Sequence, residues 1–179
     1  MSARIALKLG YIGTKYKGFQ FQPNESTVEG ELLSALRRSR IIDAPKIANY
    51  ARSSRTDAGV HATSQVVAFD TDRPDIALPR VVNAYLPQDI WVWASAVVSD
   101  DFHPRHHALK RTYEYVLAPV IYPPITKSWQ SERGLEYIRE ACNLMRGTHD
   151  FANFTDRSDR PEDTIRTVED IELIAINHS

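Results

Sequence analysis

The sequence predicts an α+β protein built on mostly antiparallel sheets. Short segments of period-two hydrophobicity recur along the chain, and other segments carry the spacing of amphipathic helices. The two kinds interleave in the order β-α-β-α-β and then β-α-β. Composition agrees: 42% hydrophobic and 25% charged residues over 179 positions are globular values, which exclude a disordered tail, a collagen or a coiled coil.

The elements follow in order. Ala3 to Tyr11 alternates, with Ile5, Leu7 and Leu9 on one face, and reads as a strand. A polar loop, Gly13 to Asn24, leads to a helix start. There Ser26 with Glu29 fits a capping box, and Thr27 fits a cap equally well. Val28, Leu32, Leu33 and Leu36 give a helix running to about Arg38. Pro45 to Asn49 leads into a short strand, Ser53 to His61 is turn-rich, and Gln65 to Asp70 is a β run. Pro79 suits the first turn of a second helix, Leu78 to Tyr85. Ile90 to Ser99 reads as a long strand whose Trp91 and Trp93 pack in the core, and Arg111 to Ala118 as another strand. Pro119 to Pro124 is a proline-rich connection. Leu135, Ile138, Cys142 and Met145 space a helix from Glu132, Asp150 to Asp163 is loop-like, and Thr167 to Ile176 is the last strand. This order suggests two units, 1–105 and 106–179, the second short of partners for its sheet.

No run of about 18 apolar residues predicts a membrane span, and the alternating N-terminus lacks the apolar block of a signal peptide. With one cysteine, Cys142, a reducing cytoplasmic setting is the expectation. The net charge of −1 hides an asymmetry. Residues 1–60 hold ten Lys and Arg against five Asp and Glu, while residues 150–179 hold three against eight. The basic first third could face a polyanion.

The densest chemistry lies in Arg52-Ser-Ser-Arg55-Thr-Asp57-Ala-Gly59-Val-His61. A carboxylate beside a guanidinium stays ionised and can serve as nucleophile or base. Gly59 would permit a tight turn. His103, His106 and His107 lie near Asp100 and Asp101, but their spacing fits no standard zinc pattern.

Arg55-Thr-Asp57-Ala-Gly-Val-His61-Ala62 resembles the catalytic signature of the tRNA pseudouridine synthase A family. Four further segments agree, collinearly: Tyr11 to Asn24, Thr27-Val-Glu-Gly30, Phe102-His-Pro-Arg105 with Lys110-Arg-Thr-Tyr113-Glu-Tyr115, and Gly147-Thr-His-Asp-Phe151 with Arg166-Thr167. Ser54 stands where the signature often has Gly, and Phe19 where many members have Trp.

The resemblance implies the pseudouridine-synthase fold: two α/β subdomains with helices on one side and an active cleft between them, the second subdomain incomplete here. It implies isomerisation of uridine to pseudouridine in the anticodon arm of tRNA, with Asp57 as essential catalyst. Tyr113 would lie against the target base, and Arg55 would orient Asp57 and help displace that base. No cofactor and no metal are implied, and a homodimer is the family's common form. Candidate phosphate contacts are Lys15, Lys17, Arg37, Arg38, Arg52, Arg105, Lys110 and Arg111. Two other readings compete: a non-catalytic RNA-binding fragment of such an enzyme, and a metal-dependent hydrolase built on the histidines.

Overall fold

Strand β1 (Ala3–Tyr11) is the axis around which the first part of the molecule is built. The computed structural model describes residues 2–43, 49–116, 132–155 and 163–174. The chain divides into two compact units, Met1–Thr112 and Tyr113–Ser179.

In the first unit β1 pairs antiparallel with β3 (Ala62–Thr71) on one side and β4 (Ile90–Val98) on the other. The two-residue β2 (Ala51–Arg52) extends the sheet, giving the order β2-β3-β1-β4. The alternation in β1 does what a pleated strand requires: Ile5, Leu7, Leu9 and Tyr11 are at most 2% exposed. They share one core with Val67 and Phe69 of β3, with Leu32, Ala35 and Leu36 of α1 (Val28–Arg38), and with Val82 of α2 (Pro79–Asn83). Thr27 is the cap of α1, its Oγ1 accepting from the Gly30 N–H at 3.2 Å. Ser26 and Glu29 form no capping box, because the Glu29 carboxylate turns to the Phe21 N–H and to Arg52.

Two irregularities sit on either side of Gly10. Lys8 faces Ala94 and Leu9 faces Val92, so Trp93 is an extra residue in β4. Leu9 faces Gln65 and Tyr11 faces Ala62, so β3 carries one residue more than β1 there. Bulges of this kind re-aim side chains. Trp91 and Trp93 do not join the core as the sequence suggested, because Ile90 and Val92, facing Tyr11 and Leu9, take the core face and leave both indoles on the other. Trp91 lies beside Gly10 on the face away from Leu7 and Leu9, and Trp93 is 56% exposed.

After β4 the chain folds back over this unit. Arg4, only 3% exposed, donates to the Phe102 carbonyl at 2.6 Å and to the Asn49 carbonyl at 3.0 Å. It also pairs with Asp70 at 2.8 Å. Further on, Arg111 donates to the carbonyls of Arg105 and Ser53. Residues 111–116 are not a strand; all six are exposed, and no neighbouring strand pairs with them among the described residues. The connection Pro119 to Pro124 lies outside the described residues.

The second unit holds α3 (Glu132–Met145) and an antiparallel pair, β5 (Gly147–Asp150) and β6 (Ile165–Val168). The last strand runs from Ile165 to Val168, where Thr167 to Ile176 was expected, and β5 was not expected, since Gly-Thr-His-Asp carries no apolar alternation. Leu135, Tyr137 and Leu144 of α3 stand exposed. Among the described residues, no helix is long and apolar enough to cross a membrane.

Candidate active site

The loop from Ser53 to His61 joins β2 to β3 and is held on several sides. At its start, Gln65 accepts from the Ser53 and Ser54 hydroxyls at 2.7 and 3.2 Å, and its amide donates to the Ser54 carbonyl at 2.7 Å. In the middle, the Phe19 N–H donates to the Thr56 carbonyl at 3.0 Å, and the Tyr11 and Thr56 hydroxyls are bonded at 2.8 Å. Toward its end, the Gly59 N–H donates to the Tyr16 carbonyl, and the Gly13 N–H donates to Nδ1 of His61 at 3.2 Å. Gly59 takes φ +81° within this turn, a conformation glycine tolerates without steric cost. His61 thus has a structural task.

Out of this frame project Arg55, Asp57 and Ala58, all exposed. No hydrogen bond or ion pair engages the Asp57 carboxylate or the Arg55 guanidinium among the described residues. The pairing of the two that their spacing suggested is not formed, and both side chains are exposed. Asp57 is therefore a carboxylate on a rigid support with its lone pairs open to a ligand.

The close approach of the two loops depends on Gly13. A Cβ there would stand 1.9 Å from the Val60 carbonyl oxygen, a backbone atom that cannot swing aside. Gly13→Ala is expected to destabilise the chain by about 1–3 kcal/mol, the range for forced overpacking. A urea titration checks this: the midpoint should fall with the slope unchanged.

Three tyrosines of this unit are held protonated. Burial raises the Tyr11 hydroxyl above the usual tyrosine range, only partly offset by Thr56. Burial, then the hydrogen bond from Tyr16 to Asp89 at 2.7 Å, raises Tyr16 strongly. Burial, then the Glu29 carboxylate, pushes Tyr50 well above its ordinary value. The unfolded chain releases these protons near pH 10, while the folded chain keeps them. Stability is thus full below about pH 10 and falls as pH rises from there toward the raised native values. In an alkaline titration, phenolate absorbance from these three should appear together with the loss of circular dichroism. Ionisation of all tyrosines before unfolding would contradict this.

The candidate phosphate contacts divide. Lys15 and Lys17 belong to the segment that grips the loop, and Lys15 is 82% exposed although 3.7 Å from Asp89. Arg111 reaches the Ser53 carbonyl, and Arg105 and Lys110 are exposed on the same segment. Arg37 and Arg38 lie in the last turn of α1, whereas its first turn is the end tied to Phe19. Ten residues of helix separate the ends by roughly 15 Å. Arg38 also lies over the Tyr85 ring at 5.2 Å. Arg52 turns inward and pairs with Glu29 at 2.8 Å, so its charge is already balanced. Tyr113 belongs to the second unit and is 78% exposed.

The histidines serve their own loop. Nδ1 of His103 accepts from the N–H groups of Arg105 and His106, and Nδ1 of His107 from that of His103. Partial burial and the neighbouring His106 lower the pKa of His103. Among the described residues no group of three or more His, Cys, Asp or Glu could hold a metal ion. Sequence reasoning did not single out Gln65, Tyr11 or Gly13 as supports, because their partners lie ten to fifty residues away.

Set beside proteins of known kind, the chain is a homologue of pseudouridine synthases. In particular, it is a relative of tRNA pseudouridine synthase A from archaea, so the resemblance read from the motifs holds across the chain. It is 51% identical to that protein from Methanosarcina mazei over 170 residues, 95% of this chain and 59% of the relative. It is 41% identical over 170 residues to the Pyrococcus furiosus protein of the same name, and 39% over 165 to that of Archaeoglobus fulgidus. The chain therefore spans under three-fifths of the length of the curated relatives it matches. No family model matches it.

Proposed function

We propose that this chain carries the catalytic part of a tRNA pseudouridine synthase, with Asp57 as its catalyst. The observation that carries the reading is an exposed, unpartnered carboxylate on a loop fixed by its neighbours, within the Arg55-Thr-Asp57 motif. In the reaction the N1–C1′ bond of uridine breaks, the base turns, and C5 bonds to C1′. The hydrogen at C5 leaves as a proton, so the step needs no redox partner or group donor. A carboxylate beside an electron-poor anomeric carbon is the arrangement glycosidases use. Asp57 acts either by adding to C1′ or by removing a sugar proton.

Arg55, on the same loop, helps displace the target uridine from its stack. Tyr113 lies against the target base. The target uridines lie in the anticodon arm, which the protein reaches through phosphates and shape. Lys15, Lys17, Arg105, Lys110 and Arg111 are the cations best placed for that contact. The working enzyme is a cytoplasmic homodimer that uses no metal or cofactor.

The test mixes the chain with tRNA carrying tritium at uridine C5 and counts the tritium released. Release above background supports the enzyme. The length of the relatives favours one second reading, a fragment that binds RNA without turning it over. Binding that weakens steeply with salt, with no release, identifies that fragment instead.

A further inference from the structure

We infer that Trp93, braced by Trp91, is a stacking platform for an unpaired base of the RNA, on the reading that the chain acts on tRNA. Trp93 is 56% exposed, yet it is fixed. Its indole N–H donates to the Thr63 carbonyl at 3.0 Å, tying the bulge of β4 to that of β3 across β1. Its ring meets Trp91 edge to face, with centroids 5.4 Å apart and planes at 89°. Both rings press on the backbone of Gly10, where a Cβ would lie 2.8 Å from Nε1 of Trp93 and 3.0 Å from the Trp91 ring. An aromatic ring already held in place loses little freedom when a ligand stacks on it.

The surroundings select a nucleotide. Lys8 is exposed on the same sheet face, two residues before Gly10 and opposite Ala94. It offers a cation for a phosphate next to the ring. Ala94 and Ala96 are exposed and small, so no bulky side chain from β4 overhangs the platform. Thr63 follows His61 by two residues, so the platform continues the edge of the loop that carries Asp57. Ring, cation and adjoining carboxylate loop suit an unpaired nucleotide flanking the reacting uridine.

The test measures binding of an unmodified tRNA transcript to the whole chain by fluorescence anisotropy. Trp93→Ala should weaken binding by about 5- to 100-fold, as loss of one stacked base does, and Trp93→Phe should restore most of it. The transcript should also quench tryptophan emission of the unaltered chain more than that of Trp93→Phe, a readout that stands even if the alanine variant fails to fold. Equal quenching, or unaltered affinity in folded Trp93→Ala, overturns the platform alone. So does a change from dimer to monomer in Trp93→Ala without loss of RNA affinity, which would assign this face to a second copy. Failure of the unaltered chain to bind the transcript overturns the tRNA reading and the platform together.

Discussion

Asp57→Asn is expected to lower tritium release from C5-labelled tRNA by about 10³-fold or more, the scale of losing a positioned catalytic carboxylate. The same substitution should leave folding stability within about 0.5 kcal/mol, because the side chain is exposed and contacts no partner whose loss would matter. It should also leave tRNA binding intact, since the amide keeps the shape of the carboxylate and removes only a charge that repels phosphate. That combination separates chemistry from structure. Turnover near the wild-type rate in Asp57→Asn would sink the assignment of Asp57 as catalyst, and a large fall in melting temperature would show that the carboxylate supports the fold.

The largest stability effect is expected at Phe19. Its side chain is fully buried and packs on Tyr11, with ring centroids 5.8 Å apart. Its backbone joins three elements: the N–H reaches the Thr56 carbonyl, and the carbonyl accepts from the Glu29 N–H at the start of α1. Phe19→Ala removes a core ring and should cost about 3–5 kcal/mol. For a unit of this size that lowers the melting temperature by more than about 10 °C. Activity should fall further than the folded fraction does, because the segment whose N–H holds the Thr56 carbonyl loses its anchor in the core. Phe19→Leu should recover most of the stability. An alanine variant that melts like the unaltered chain would mean that Phe19 is not the post between core and loop.

Much of this was legible in the sequence, for identifiable reasons. The strand from Ala3 and the helix from Val28 carry complete periodic patterns, and periodicity reports which face is buried; the helix from Glu132 was legible as a helix, but its Leu135 and Met145 stand exposed. The loop around Asp57 stood out because its residues are chemically dense and contiguous. What failed to show depended on distant partners. Arg52 counts as a free cation until Glu29, 23 residues away, is brought to it. Trp91 and Trp93 alternate like core residues, but strand register is decided between strands, and it puts Ile90 and Val92 on the core face instead. Arg111 to Val116 has the residues of a strand and no neighbour to pair with among the described residues. β5 pairs although its four residues lack any apolar alternation.

The loop bearing Asp57 is gripped largely through main-chain atoms and through residues outside its exposed stretch. Arg55, Asp57 and Ala58 take no side-chain part in that grip. Scaffold and reactivity are thus heritable separately. Substitution at those three positions can redirect what the loop does to a nucleoside while the architecture beneath is transmitted unchanged, so the fold can diversify its chemistry without first becoming unstable.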